Sequence, residues 1–324
     1  MVFYEYALDP ELLTNWKDFR YFSEKFGWSY GRLISRYPKR WKRLVYDSLL
    51  GCTDIERKRI EEGLKRLDDR MVKRPGSQYD KKKKWLKNAI AEHKKKAFRA
   101  IIACENPGGH DYVLIGNDVE DSTPFFQVAR NIIPRKAEEF VSSLALLIQS
   151  SRRIVFVDPH FKPNEKRFRN VLARFLKCAF DSDRRGGNTK IELHTSIKRF
   201  FGENTPIDEE ESRVIQNFVG EIRKHLPPLI PINNSLQVCI WKQKDGGEKI
   251  HNRYVLTDRW GVGLPTGLDE SADSDSQTDD IYRLTYDQYL TRWAQYTGEN
   301  PAFERVWEGC MFGVTDGNLN DLKG

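Results

Sequence analysis

The chain has 324 residues, of which 39% are hydrophobic and 31% charged, and a net charge of +7; this suits one large or two ordinary water-exposed domains. Its longest apolar run, residues 140–148, contains two serines and is far short of the ~20 residues that a membrane span needs. The start has no basic segment followed by an apolar one, and five cysteines stand far apart, so secretion, a disulfide framework and a zinc knuckle are not expected and a cytoplasmic setting is.

The charge is uneven along the chain. Residues 1–99 carry 26 Lys and Arg against 14 Asp and Glu, a net of +12, while the rest carries 28 against 33, a net of −5. A basic amino-terminal part would hold a polyanion that a more acidic carboxy-terminal part processes. The plainer alternative is a set of solvated, lysine-rich helices.

Residues 1 to about 96 read as mainly helical. Asp9-Pro10-Glu11 is a helix-start signal, and Ile55, Ile60, Leu64, Leu67 and Met71 follow a helical stripe. Residues 19–45 interleave basic and aromatic side chains, a composition that grips phosphates and stacks on bases; aromatics packed beneath a cationic surface give the same pattern. The expected nucleic-acid contacts are Arg36, Lys39, Arg40, Lys42, Arg43 and the run Lys81, Lys82, Lys83, Lys84. Residues 98–104 and 112–116 then read as two short strands forming a β-hairpin, which closes an amino-terminal region at about residue 130.

From 131 to 324 the texture is α/β. A helix is expected from Pro134 to about 148, then a continuous apolar strand at 153–157 that ends on Asp158-Pro159-His160. A helix follows over 164–180 with Phe168, Val171, Leu172, Phe175 and Leu176 on one stripe, broken at Gly186-Gly187. A strand at 190–194, a helix over 209–226 and an apolar β-rich stretch from 235 complete a β-α-β-α-β run. That run is the signature of a crossover-connected, mostly parallel sheet flanked by helices. A returning antiparallel strand after residue 260, an acidic loop at 270–280, a strand from Ile281 and an amphipathic helix over 286–296 follow.

The stretch 249–258 reads Lys-Ile-His-Asn-Arg-Tyr-Val-Leu-Thr-Asp. At or just inside a strand, His251 and Arg253 share one face. A neutral imidazole beside a permanent cation suits attack on phosphorus, one supplying nitrogen and the other holding non-bridging oxygens. Asp258 is out of phase with His251 and reads as a strand terminator. The bland alternative for His251 is a structural histidine at a strand end. His160 could line a cleft or close a turn, and His194 reads as packing.

The pattern His-x-Arg-x-x-x-x-Asp resembles the His-x-Lys-x-x-x-x-Asp signature of the phospholipase D superfamily, with Arg253 in place of lysine. The resemblance covers residues 135–300 and implies a phospholipase D-like fold with a catalytic set of His251, Arg253, Asp258, Thr266 and Asp280, with Asp279 as the alternative acid. Leucine stands where the family has asparagine after Thr266. The implied chemistry is a metal-independent nuclease or phosphodiesterase reaction through a phosphohistidine, without a cofactor. One motif per chain implies a homodimer with a shared site. Nucleic acid, DNA before RNA, is the expected partner, because a lipid hydrolase would want apolar interfacial segments that are missing here. Some family members serve in prokaryotic anti-phage loci, so a defence-system partner protein is a further expectation. A catalytically inactive scaffold that binds nucleic acid or assembles with partners is the alternative that arginine and the absent asparagine favour.

Overall fold

The structure is a computed structural model, which describes residues 1–122, 125, 130–183, 188–197, 208–272 and 276–314. The expected Gly186-Gly187 break and residues 273–275 of the acidic loop lie outside the described residues. The chain divides into two compact units, Met1–Ala129 and Arg130–Gly324.

The amino-terminal unit has more to it than the helices and single hairpin its sequence suggests. It is built on a five-stranded sheet: β1 (Tyr4–Leu8), β2 (Arg32–Arg36), β3 (Met71–Lys73), β4 (Ile101–Ala103) and β5 (Val113–Ile115), in the order β3-β2-β1-β4-β5. Every neighbouring pair is parallel, so β4 and β5 are not a hairpin. Between the strands run α1 (Trp16–Lys25), α2 (Trp41–Asp47), α3 (Asp54–Arg66) and α4 (Trp85–Lys95).

Alternation along β1 divides the core. Tyr6 and Leu8 join Phe19 and Phe22 of α1, Trp41 and Val45 of α2, and Ile60 and Leu64 of α3 in one apolar cluster. Ala7 joins Trp85, Leu86 and Ala89 of α4, with Tyr37, Phe98 and Ile101, in the other. Helices thus cover both faces, as a parallel sheet requires. Most aromatics of 19–45 face inward, not toward bases. One charged group is interred with them. Arg74, its side chain 0% exposed, bridges Glu92 (2.9 Å) and Glu5 (3.2 Å) beneath the Phe98 ring, and Ser35 donates to Glu5 at 2.6 Å.

The carboxy-terminal unit contains β6 (Arg130–Pro134), α5 (Ala137–Ser150), β7 (Arg153–Val157), α6 (Lys166–Phe180), β8 (Lys190–Ser196), α7 (Asp208–His225) and β9 (Ser235–Lys242). After them come β10 (Tyr254–Thr257), β11 (Gly261–Gly263), β12 (Thr278–Arg283), α8 (Tyr286–Thr297) and β13 (Glu304–Phe312). One sheet takes the order β13-β9-β8-β7-β10-β11-β12-β6. Only β7–β8 and β8–β9 pair in parallel; the other five pairs are antiparallel. The sheet is mixed, not mostly parallel. Pro134 ends a strand instead of starting a helix, and α5 begins three residues later. Among the described residues no helix is long and apolar enough to cross a membrane.

This topology makes the strand reading of 235–258 two strands. The crossover from β8 leads to β9, at one side of the parallel trio. The chain then crosses the trio to lay β10 antiparallel against β7, on its other side. The carboxyl end of β7, the start of β10 and the end of β11 consequently meet at one edge.

Candidate active site

At that edge β7 stops at Val157, which pairs with Tyr254. Asp158 is therefore beside Arg253, the residue that enters β10. Asp158 is fully buried, and its Oδ1 lies 3.7 Å from Arg253 Nε, whose side chain is 27% exposed. The two carboxylate oxygens accept from the backbone N–H groups of His160 (2.9 Å) and Leu268 (2.8 Å). Burial pushes the Asp158 carboxyl up to about 6, against the lowering effect of those two N–H groups and of the Arg253 charge.

Arg253 is held from the other side as well. Its Nη1 donates to the Pro265 carbonyl, and its own carbonyl accepts from Leu264 N–H at 3.0 Å. Nε is buried with no hydrogen-bond acceptor at bonding distance, so its tie to Asp158 is electrostatic. The side chain is thus held at two points, Nη1 by Pro265 and Nε by the charge of Asp158. Gly267 closes the turn at φ +74°; a Cβ there would lie 2.4 Å from Asp158 Oδ2 and 2.6 Å from Arg253 Cδ. Glycine is needed both for the backbone conformation and for this approach.

Thr266 donates its hydroxyl to Asp279 Oδ2 at 2.6 Å. Asp279 is buried on β12 and Asp280, the next residue, is exposed on the opposite face. The acid at this edge is thus Asp279, and Asp280 does not join it. Asp258 stands apart too: it follows the far end of β10, five residues and about 17 Å of strand from Arg253. Its Oδ1 accepts from Arg152 N–H (2.9 Å) and Arg153 N–H (3.2 Å), tying the hairpin end to β7.

His251 lies in the loop before β10, not within a strand, and its residue is exposed. Nδ1 is 3.0 Å from the Lys249 carbonyl oxygen. A carbonyl can only accept, so Nδ1 carries the proton of the neutral ring and Nε2 keeps its lone pair. The partner of this ring is a backbone carbonyl, while Asp279 takes the Thr266 hydroxyl.

The other histidines have different settings. His160 is exposed, and its backbone closes the turn on Asp158. His194 is buried; Trp241 Nε1–H donates to its Nδ1 at 3.1 Å and its Nε2 faces Glu192 at 3.2 Å. Burial lowers its affinity for a proton, and Glu192 is held at about 2, its burial outweighed by bonds from His194 and Arg153.

Sequence reasoning missed Asp158 as the residue behind Arg253, and it missed Asp269. Asp269 lies two residues beyond Gly267, and its Oδ2 takes Arg167 at 2.9 Å and Arg135 at 3.3 Å. Its Oδ1 and Arg135 Nε are buried without hydrogen-bond partners. The strand ending on Asp-Pro and the Thr-Gly pair were the available signals. Among the described residues no group of His, Cys, Asp and Glu could hold a metal ion.

No family model matches this chain, and no curated protein matches it. Among solved structures the chain is similar to TrmBL2, an archaeal chromatin protein whose structure shows a novel mode of DNA binding. The identity is 10%, the match covers 76% of this chain and 82% of that one, and the TM-score is 0.22. So loose a superposition carries no argument about this protein.

Proposed function

We propose that the carboxy-terminal unit is a metal-independent phosphodiesterase that cleaves nucleic acid through a phosphohistidine on His251. One observation carries the reading. The ring gives its Nδ1 proton to a carbonyl and keeps an accessible Nε2 lone pair, two residues from a guanidinium fixed by Asp158 and Pro265. The phospholipase D resemblance supplies the same pairing of nucleophile and cation.

In the proposed reaction Nε2 attacks phosphorus while Arg253 holds the non-bridging oxygens. The P–O bond to the leaving group breaks with its electron pair, and a second imidazole gives that oxygen a proton. The same imidazole then takes a proton from water, whose oxygen attacks phosphorus and breaks the N–P bond. The second imidazole is the equivalent residue of another copy, so the active species is a homodimer with its site on the two-fold axis. Cleavage of this kind is the chemistry of a defence nuclease, in which a partner protein would gate the dimer.

A second reading is a phosphate-binding scaffold without turnover. It is favoured by the weak support of His251, whose partner among the described residues is a carbonyl and not a carboxylate. The two separate in one assay, in which plasmid and single-stranded DNA are incubated with the protein in EDTA. Nicking that disappears in His251→Ala supports the phosphodiesterase; retardation in a gel with no cleavage supports the scaffold.

A further inference from the structure

The cations of the amino-terminal unit fall into two groups. Arg36 and Lys42 both reach Asp68, and Arg43 pairs with Asp47 at 2.9 Å, so these three already have carboxylate partners. Lys39 and Arg40 follow the carboxyl end of β2, and the lysine run 81–84 follows β3. Because β2 and β3 are parallel neighbours, both segments emerge at one edge of the sheet.

The lysine segment is pinned there. The Tyr37 hydroxyl lies 2.9 Å from the Gln78 carbonyl and 3.0 Å from that of Asn88, and Trp85 Nε1–H donates to the Tyr37 carbonyl at 3.2 Å. The Asn88 side chain accepts from Asp80 N–H at 2.8 Å and donates to the carbonyls of Asp80, Lys83 and Lys84. On this held backbone Lys39, Arg40, Lys81, Lys82 and Lys87 are exposed. None of them pairs with a carboxylate among the described residues. Lys83 and Lys84 have exposed partners, Asp80 at 3.3 Å and Glu105 at 3.8 Å, which screen them weakly. Asp80 lies within the lysine segment, and Asp9, Glu11 and Glu105 follow β1 and β4, so the β2–β3 side is the more basic part of the edge.

We infer that the β2–β3 side of this edge docks the phosphate backbone of duplex nucleic acid. The cations are spread along a fixed surface, as a regular array of phosphates requires. Single-strand binding needs bare rings for bases to stack on, and among the described residues this surface has none. Tyr79 is half-buried and edge-on to Tyr37, Tyr30 precedes β2 at the opposite end of the strand, and Tyr46 has Arg43 over its ring. Binding is therefore set by charge, with little sequence preference. The inference stands whether or not His251 is a nucleophile.

The test uses the full chain in a His251→Ala background, so that cleavage does not consume the probe. Fluorescence anisotropy is read for a 30-bp DNA duplex (about three helical turns), a single strand of equal length and anionic lipid vesicles, over a salt series. The duplex is expected to bind more tightly than the strand or the vesicles. The triple variant Lys81→Glu, Lys82→Glu, Lys87→Glu is expected to bind the duplex at least about tenfold more weakly and to flatten the slope of log K against log salt by about 2.7. The corresponding lysine-to-arginine triple keeps both, and Arg43→Gln stays within about twofold. Unchanged duplex affinity in the glutamate triple, or tighter binding of the strand or of vesicles, overturns the inference.

Discussion

The two units handle the end of a parallel strand differently. In the amino-terminal unit all five strands are parallel, so every carboxyl end reaches the same edge and leads away into a helix, a turn or a loop. Cations there are spread along the rim, and a closely knit ionic cluster, around Arg74, is buried in the core. In the carboxy-terminal unit β7 has a parallel neighbour on one side and the antiparallel β10 on the other. Strand ends and strand starts meet there, and residues far apart in sequence come into contact. Asp158 meets Arg253, Gly267 and Leu268 for that reason. Under the two proposals, the uniform parallel sheet would offer a surface to a long ligand and the parallel-to-antiparallel junction a point site to one phosphate.

The contrast can be broken at either unit. The largest expected effect is structural and lies in the first. Arg74→Met leaves Glu5 and Glu92 as buried, uncompensated carboxylates and is expected to cost about 3–5 kcal/mol, read by denaturant unfolding, with the small-substrate phosphodiesterase rate of the folded fraction unchanged. In the second unit Gly267→Ala places a methyl group against Asp158 and Arg253. It is expected to lower hydrolysis of a bis-aryl phosphate by about a hundredfold, a displacement of the guanidinium by about an ångström being enough. A rate close to wild type would show that the turn does not position Arg253.

Arg253→Lys keeps the charge but loses the fork that reaches both Pro265 and an anion, so a fall of about tenfold is expected, mainly in kcat. The smallest effect is on pH dependence. Asp158 is pushed up to about 6 by burial. Below that pH it is neutral and no longer attracts Arg253; above it the carboxylate forms and holds the guanidinium. Activity should therefore fall as pH drops through about 6. Asp158→Asn should lack that limb; an identical profile would remove the Asp158 carboxylate from the mechanism.

Much of the second unit is legible in the sequence, because its signals are local. The stripe of α6, the apolar run of β7 and the turn between β10 and β11 each lie within one short window. Arg253 is singled out by its strand phase with His251, and Thr266 by the phospholipase D resemblance. Asp158 was not assigned to Arg253, because 95 positions separate them and only the antiparallel pairing of β10 with β7 brings them together. The choice between Asp279 and Asp280 depends on strand phase, which one residue reverses. In the first unit β2 reads Arg-Leu-Ile-Ser-Arg and β3 spans three residues, too short and too polar at the ends to stand out beside strongly periodic helices. The aromatic and basic interleaving at 19–45 conceals a core, since composition does not say which way a ring points.

The central claim is that His251 becomes covalently phosphorylated while a phosphodiester is cleaved. The direct measurement is an acid-free quench of the protein with a short DNA substrate in EDTA, followed by mass spectrometry of the peptide that contains residue 251. The account predicts an acid-labile adduct on His251 that forms and decays with turnover, and loss of turnover by about a thousandfold or more in His251→Ala. Cleavage that persists in the variant, or turnover with no adduct at any time point, would contradict it.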